Sequence, residues 1–501
     1  MLSGYGGVVP ALLLFLFSSV MVAQWSGPTV RIAVNPQERF QLIEGFGVNL
    51  IGGWFREDQK AMFDMLIDDL GATMFRVDPY HDVSDWEANN MYDNRNLPTN
   101  WEDGDYHTNP ELAQGLPASW EYWENRYSSP TFERSAALMR YLNFRGIRPL
   151  IALFGPVPEW MTDDQVGPLD KAVSLDELYK KRQNHLSPKM YDAFAEEVVS
   201  MLAYTRSQAH VDFTYFSPFD ETDVYPTEGP RVDPEEAPKV LKAVVRQLKK
   251  EGLSDVKLAV ADQADPAKDY FSPILSDKEL MKQVGVLTLH NYADSDAVGL
   301  NMERVKKSAY PQTPVWLTEY GELTDLNRTA ENEWKRFSLA VNRRALTALN
   351  SGAKALVIFD AFDDYEDAVQ RLCYWGLFQS AGHIYAPKKR YYATKQLYHF
   401  IAPGSQRIAA GTRASGLTVS AFRNGARNSL IIVGVKEGGP NHIQVALSDG
   451  ESAVSSWEVY ETTRDVDCLK VDTIAVRGGV AEMKLPDEAI FTMVGSLAKP
   501  Q

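Results

Sequence analysis

Cysteine is scarce in this chain of 501 residues, which contains only Cys373 and Cys468. Two cysteines exclude a disulfide framework, and they leave open either one bridge or two buried thiols. Histidine occurs eight times, and neither an HExxH motif nor paired-cysteine spacing is present, which disfavours a zinc site. The glycine patterns of nucleotide-binding loops and the GxSxG motif of esterases are missing too. The sequence therefore predicts a chain that works without a metal or cofactor.

Clusters of basic residues are also missing. The formal net charge is −16 and the pI is near 5.1. These values argue against nucleic acid and anionic membranes as partners, because both would need a basic surface. They also disfavour a polyuronate, so a neutral ligand fits better. The hydrophobic content of 45% can build a large core, and the length predicts two or more domains.

Long apolar runs are absent except at the N-terminus, which reads MLSGYGGVVPALLLFLFSSVMVAQWSG. The run predicts a signal peptide over residues 1–23, with cleavage before Gln24. No Lys or Arg precedes the run, which leaves an uncleaved anchor open, although the run is short for a membrane span. We therefore expect export to an extracellular or periplasmic location and no membrane association after cleavage. One glycosylation sequon, at Asn327, is weak support for any location.

Short apolar runs alternate with helical patterns from residue 41 to residue 395. Residues 58–71 and 190–205 have helical periodicity, and Gly71 ends the first of these helices. Eight strand-then-helix units predict a (β/α)8 TIM barrel of the α/β class. The alternative, a doubly wound open sheet, lacks its usual glycine-rich turn. The eight apolar runs occupy residues 42–50, 73–79, 148–155, 212–219, 256–262, 284–292, 313–320 and 354–362.

The pattern changes after residue 396, where short alternating runs are separated by turn signals such as Asn424-Gly425. This pattern predicts a C-terminal β-sandwich over residues 396–501. Residues 24–40 read as a strand that could join this sandwich and so connect the two ends of the chain.

A long insertion from Asp82 to about Ser129 follows the second predicted barrel strand. Loops at this end of a barrel build the sites, and flat aromatic faces there suit sugar rings. The alternative is that the aromatic residues form a small core of their own. They are Trp86, Trp101, Trp120, Trp123, Tyr92, Tyr106, Tyr122 and Tyr127.

Two apolar runs, FSPFDETD and PVWLTEYGE, end on the carboxylates Glu221 and Glu319. Carboxylates at the C-terminal ends of barrel strands point into the mouth of the barrel. Two of them on different strands can face each other across a ligand. Such a pair suits glycoside hydrolysis, in which one carboxyl group donates a proton and the other attacks the anomeric carbon or activates water. The alternative is that Glu221 only caps a following helix.

Several motifs resemble the clan A retaining glycoside hydrolases, and within that clan they are similar to family 30. These motifs are IEGFGVN, FRVDPY, GPVPEWM, LHNYAD, PVWLTEYGE and the junction RYYATKQLYHFIAPGSQRI. The resemblance implies a barrel with a C-terminal β domain and no cofactor. It also implies that Glu221 is the general acid/base and Glu319 the nucleophile. Asp220 departs from the pattern, because the clan commonly has Asn before the acid/base, where it binds the sugar 2-hydroxyl.

The nucleophile must stay ionised, so a cation and hydrogen-bond donors should lie beside it. Arg76 with Tyr292 or His290 can supply them. Arg76 could instead be a structural partner of Asp78, and His290 could be a core histidine. Trp375 can form the floor of the sugar subsite, and Trp160 can form its wall. The expected substrate-binding residues are Arg76, Asp78, Trp160, Asp220, His290, Tyr292 and Trp375.

We therefore expect a secreted retaining β-glycoside hydrolase with β-linked oligo- or polysaccharide as its substrate. An endo-β-glucanase or endo-β-galactanase is favoured over an exo-acting β-glucosidase or a xylanase. The alternative from another class is an inactive carbohydrate-binding protein, which would have no need of two facing carboxylates.

Overall fold

A computed structural model describes residues 28–79, 130–155, 157, 161–163, 183–225, 228–323, 329–366, 371–381, 384–448 and 454–497. The expected signal peptide, the aromatic-rich insertion, Trp160 and the sequon at Asn327 lie outside these residues.

The chain begins with strand β1, Thr29–Leu42, and then builds a closed barrel of eight parallel strands, as predicted. Each predicted apolar run overlaps one of these strands. The side chains of the strands are almost all buried, because helices cover the outside of the barrel. The barrel strands are β2 Gly45–Ile51, β3 Met74–Asp78, β4 Leu150–Ala152, β5 Tyr215–Ser217, β6 Lys257–Gln263, β7 Val284–Asn291, β8 Val315–Tyr320 and β9 Ala355–Ile358.

Helices connect the barrel strands. The first continues into a π-helical turn, Met65–Leu70, which ends at Gly71 with a φ of 91°. None of the helices in the described ranges is long and apolar enough to cross a membrane. The α-helices are α1 Lys60–Asp64, α2 Pro130–Phe144, α3 Tyr191–Ser207, α4 Ala237–Lys250, α5 Phe271–Ser276, α6 Ala297–Lys307, α7 Ala330–Asn332, α8 Val341–Ser351 and α9 Lys389–Tyr398, with a second π-helical stretch at Glu333–Ala340. Short 3-10 turns lie at Gly52–Trp54, Glu57–Gln59, Pro188–Met190 and Leu280–Lys282, and two hairpins follow β9, formed by β10 Asp364–Glu366 with β11 Arg371–Cys373 and by β12 Phe378–Ala381 with β13 Ile384–Pro387.

A nine-stranded sheet forms the second structural unit. Strand β1 lies inside it, antiparallel to β14 (Gln406–Thr412) and parallel to β17 (His442–Leu447). The two edge strands, β19 (Leu469–Ala475) and β20 (Val480–Lys484), come into contact, so the sheet curls around its own apolar core. The remaining strands are β15 Leu417–Asn424, β16 Ser429–Glu437, β18 Val454–Thr462 and β21 Glu488–Leu497.

Helix α9 joins the sheet to the barrel. The Gln396 amide donates to Thr462 Oγ1 at 2.9 Å, and Thr492 Oγ1 donates to the Gln396 carbonyl oxygen at 2.6 Å. On the barrel side, the Tyr398 ring stacks on Phe46 with 4.8 Å between the centroids. These contacts are buried, so the sheet braces the base of the barrel.

Cys468 lies in the connection between β18 and β19 and is a free thiol. Burial raises its pKa to about 12, which makes it a poor nucleophile. The free thiol agrees with the unbridged alternative, and the side chain of Cys373 lies outside what the structure describes.

Lys436 is buried in the sheet, where its ammonium group holds two neighbouring loops together. We expect Lys436→Met to lower the free energy of unfolding by about 1–3 kcal/mol, because its acceptors lose their donor. The midpoint of urea unfolding measures this loss. Lys306→Met is the control, since Lys306 is exposed and pairs only with Glu303 among the described residues. Equal midpoints for the two variants would contradict the prediction. The acceptors of Lys436 are Asn441 Oδ1 at 2.8 Å and the carbonyl oxygens of Pro486 at 2.9 Å, Asp487 at 3.2 Å and Gly439 at 3.4 Å.

Candidate active site

The two candidate carboxylates meet at the C-terminal mouth of the barrel. Glu319 lies near the end of β8, and Glu221 lies shortly after the end of β5. Both contact one atom, His290 Nδ1, which is 2.7 Å from Glu221 Oε1 and 3.5 Å from Glu319 Oε2. The two oxygens are therefore separated by no more than the sum of these distances, about 6.2 Å. This limit lies below the roughly 6.5–9.5 Å of inverting glycosidases and admits the roughly 5–5.5 Å of retaining ones.

Glu319 is held by a cation and a phenol. Arg76 Nη1 donates to Oε1 of Glu319 at 2.5 Å, and the Tyr292 hydroxyl donates to its Oε2. Burial raises the pKa of Tyr292 well above its ordinary value, and the nearby Glu319 adds to this rise, so Tyr292 remains a donor. Arg76 also donates to Asn49 Oδ1 at 3.0 Å, on the neighbouring strand. The orientation of Glu319 is thus fixed through both of its oxygens.

Glu221 has a different environment. Its pKa is raised, first by burial and then by the charge of Glu319, against the opposing hydrogen bond from His290. Its backbone has a φ of 30°, in the left-handed region that a glutamate rarely adopts. The Glu221 N–H donates to the Asp262 carbonyl oxygen at 3.0 Å, which helps to hold this conformation. A raised pKa suits a group that must donate a proton.

His290 lies between the two carboxylates and is fully buried. It is the register partner of Glu319 across β7 and β8. Burial alone would lower its pKa, but Glu319 and Asp220 raise it well above the ordinary value, which favours the imidazolium. Its closest carboxylate is Glu221, so its main contact is with the candidate acid.

Asp262, at the end of β6, was missed by the sequence analysis. It is fully buried, and its carboxylate accepts from Arg76 Nη2 at 3.0 Å, from Ser217 Oγ at 2.6 Å and from Thr318 Oγ1. Burial would raise its pKa, but the charge of Arg76 brings it below the ordinary range. The run VKLAVAD ends on this acid, which is the same signal that indicated Glu319.

Asp220 precedes Glu221 and is also buried. Its Oδ1 accepts from Arg76 Nη2, and it lies 3.7 Å from His290 Nε2. The chain can return close to this residue only because position 229 is glycine, since a Cβ on Gly229 would lie 1.8 Å from the Asp220 carbonyl oxygen. Asp220 is therefore fixed beside the candidate acid.

An aromatic row leads outward from Glu319. The Tyr292 ring contacts Phe359 at 6.5 Å between centroids, and Phe359 contacts Trp375 at 5.8 Å. Arg390 Nη1 donates to the carbonyl oxygens of Tyr374 and Trp375, at 2.9 and 3.1 Å, and so holds this segment. Trp375 is thus connected through Phe359 to Tyr292, and its role as the floor of a sugar subsite stays a prediction.

Asp78, the remaining residue expected at the site, is buried at the end of β3. It lies two residues beyond Arg76 on the same strand. Trp160 lies outside the described residues.

Two groups in the described ranges could offer three ligand atoms to a metal ion. The first is Asp220, Glu221 and His290, and the second is His185, Asp233 and Glu236. In each group an arginine already bonds an aspartate, since Arg76 donates to Asp220 and Arg231 donates to Asp233. These arginines supply the positive charge that a metal ion would bring, so both groups fit ion pairs better than metal sites.

We expect Asp262→Asn to lower kcat/KM by about 10²-fold, the scale of a displacement of about 1 Å at a catalytic group. Asn tolerates the φ of 51° at this position, but its amide gives up one of the acceptor oxygens that orient Arg76. Asp265→Asn is the matched control, because Asp265 is an exposed acid in the same segment. If the two variants had equal kcat/KM on the best substrate, Asp262 would have no positioning role.

Residues 184–352 match the family model described as the glycosyl hydrolase catalytic core. The fold is similar to a family 30 endoxylanase from Clostridium papyrosolvens C71, with 18% identity, a TM-score of 0.64 and coverage of 93% of this chain and 100% of that one. It is also similar to the endo-beta1,6-glucanase BT3312, with 17% identity, a TM-score of 0.63 and coverage of 95% and 94%. A conserved exported protein from Bacteroides fragilis matches with 16% identity, a TM-score of 0.65 and coverage of 92% and 99%.

The closed barrel with its attached sheet therefore has the fold of this family 30 endoxylanase and of this endo-beta1,6-glucanase, as the sequence motifs indicated. The match to the catalytic core adds the class of enzyme. The chain is a glycoside hydrolase with the fold of family 30, and its substrate is a carbohydrate.

Proposed function

We propose that this chain is a secreted retaining β-glycoside hydrolase that cleaves β-linked polysaccharide by double displacement. The observation that carries the proposal is the shared contact of Glu221 and Glu319 with His290 Nδ1. It limits the distance between Glu221 Oε1 and Glu319 Oε2 to about 6.2 Å, which supports the separation of roughly 5–5.5 Å in retaining enzymes over the wider one in inverting enzymes.

In the first step Glu319 attacks the anomeric carbon while Glu221 donates its proton to the leaving oxygen. The ion pair with Arg76 and the hydrogen bond from Tyr292 aim the attacking carboxylate. In the second step Glu221 takes a proton from water, which then releases the sugar from Glu319. The His290 hydrogen bond holds Glu221 in place through both steps.

An endo-acting β-glucanase or β-galactanase remains the favoured activity. The similarity to an endo-beta1,6-glucanase supports β-glucan, and the similarity to a family 30 endoxylanase supports β-xylan as a second candidate. The open aromatic row from Tyr292 to Trp375 fits a neutral sugar, whose apolar faces stack on rings.

The test is hydrolysis of β-1,3-, β-1,4- and β-1,6-linked glucans, galactans, mannans and xylans, with proton NMR of the first product. We expect release from one linkage class, with the β configuration retained before mutarotation. An α product would contradict double displacement. Binding without release from any substrate would favour the carbohydrate-binding alternative.

Export is part of the proposal, because residues 1–23 have the pattern of a signal peptide and one similar structure is a conserved exported protein. N-terminal sequencing of the mature protein should begin at Gln24. A mature chain that retains Met1 would contradict cleavage.

A further inference from the structure

Among the residues that the structure describes, six carboxyl, guanidinium and imidazole side chains are linked by ion pairs in the buried centre of the barrel mouth. Four are acids and two are bases, and each is at most 9% exposed. The acids are Asp220, Glu221, Asp262 and Glu319, and the bases are Arg76 and His290. The pairs around Arg76 and His290 connect them into one cluster, so their charges must be considered together.

The proposed mechanism fixes part of this charge balance. Glu319 must be ionised to attack, and Glu221 must carry a proton to donate. If every other group were ionised, three carboxylates would face two cations, and the buried cluster would carry one uncompensated negative charge. Uncompensated charge is costly in a site from which water is excluded. One additional proton makes the cluster neutral.

We infer that Asp220 carries this additional proton in the resting enzyme and donates it as a hydrogen bond to a sugar hydroxyl. The inference rests on the proposed retaining mechanism. It assigns Asp220 as a neutral carboxylic acid that selects a hydroxyl group beside the cleaved bond, while Glu221 performs the proton transfer.

The hydrogen bonds decide which acid holds the proton. Glu319 accepts at both oxygens, from Arg76 and Tyr292. Asp262 likewise accepts at both, from Arg76 and Ser217 at Oδ2 and from Thr318 at Oδ1. Hydrogen bonds accepted at both oxygens stabilise the negative charge of a carboxylate and so favour its ionised form.

Asp220 differs from these two acids. Its Oδ1 accepts from Arg76 Nη2, but no residue in the described chain hydrogen-bonds to its Oδ2. The second oxygen is therefore free to carry a proton. Burial raises the pKa of Asp220 well above its ordinary value, with Glu319 and Glu221 adding to the rise and Arg76 and His290 opposing it.

Protonation changes what Asp220 offers to a substrate. An ionised aspartate only accepts hydrogen bonds, whereas a carboxylic acid has one donor and one acceptor. In this form Asp220 matches the amide of asparagine, with its carbonyl oxygen on Arg76 and its O–H toward the sugar.

The first test is infrared spectroscopy of the ligand-free enzyme near its pH optimum. Native protein should have protonated-carboxyl C=O absorption from both Glu221 and Asp220. We expect Asp220→Asn to lose the part that belongs to Asp220 and Asp223→Asn to retain all of the absorption. This readout does not depend on turnover, so the inference can fail while the proposed function stands. An unchanged band in Asp220→Asn would overturn it.

The second test compares the alkaline limb of the pH profile of kcat/KM. If activity requires protons on both Glu221 and Asp220, kcat/KM of the native enzyme falls about 100-fold per pH unit above both pKa values. In Asp220→Asn only the proton on Glu221 remains, so kcat/KM falls only about tenfold per pH unit. At the pH optimum Asp220→Asn should retain a larger share of the native kcat/KM than Asp220→Ala, because the amide keeps a donor for the sugar hydroxyl.

Asp223→Asn shows how the alkaline limb of the pH profile shifts when an ionised acid near Glu221 is removed. Asp223 is a second acid near Glu221 and raises its pKa, so replacing it should shift the alkaline limb to lower pH. If Asp220 were ionised in the active enzyme, Asp220→Asn would shift the limb in that same direction. That result would overturn the inference.

Discussion

Glu319→Gln is expected to lower kcat/KM by at least about 10⁴-fold, or about 5 kcal/mol of transition-state stabilisation. A carboxamide is too weak a nucleophile to form the glycosyl-enzyme intermediate. The substitution is nearly isosteric, and the Gln oxygen can still accept from Arg76, so the buried site should keep its shape. Kinetics on the preferred polysaccharide measure the loss.

Glu322→Gln is the matched control for this prediction. Glu322 is a buried acid three residues further along, where it pairs with Arg336 at 3.3 Å and Arg344 at 3.4 Å. It has no place in the proposed mechanism, so its variant should keep kcat/KM within about fivefold of native. Calorimetry should also show that Glu319→Gln still binds an oligosaccharide. Equal turnover by native chain and Glu319→Gln would exclude Glu319 as the nucleophile.

The barrel could be predicted because its strands are buried on both faces and read as continuous apolar runs. The run at residues 284–292 agrees with β7, Val284–Asn291, to within one residue. The run at residues 148–155 is much longer than β4, Leu150–Ala152. Apolar character marks burial, whereas a strand ends where its ladder of hydrogen bonds with neighbours ends. Burial continues beyond the end of β4, since the next residue, Leu153, is only 9% exposed.

The candidate carboxylates were accessible from sequence because each follows a strand-forming run. Their partners depend on contacts between distant parts of the chain. His290 lies beside Glu319 because of the register of β7 on β8, and it meets Glu221 where that residue has a positive φ. Local sequence specifies neither feature. Asp262 ends an apolar run as Glu319 does, but local sequence does not show that it accepts several buried hydrogen bonds from distant parts of the chain.

Removal of the Glu221 carboxylate should change kcat/KM by an amount that depends on the leaving group of the substrate. Glu221→Ala should lower kcat/KM on polysaccharide by about 10²–10⁴-fold, because the leaving sugar oxygen then departs without a proton. A dinitrophenyl β-glycoside has a leaving group that needs no proton, so its kcat/KM should change little. Hydrolysis of the intermediate lacks its base on either substrate, so the activated one should give a burst of dinitrophenol followed by slow turnover.

Azide distinguishes loss of proton transfer by Glu221 from a general loss of structure. A small anion can enter the space left by the Glu221 side chain and attack the glycosyl-enzyme without base assistance. We expect azide to accelerate turnover of Glu221→Ala and to give a β-glycosyl azide, while the native enzyme gives only the sugar. Asp223→Asn should show no such acceleration. Equal losses on both substrates without rescue would mean that Glu221 holds the site together rather than transferring the proton.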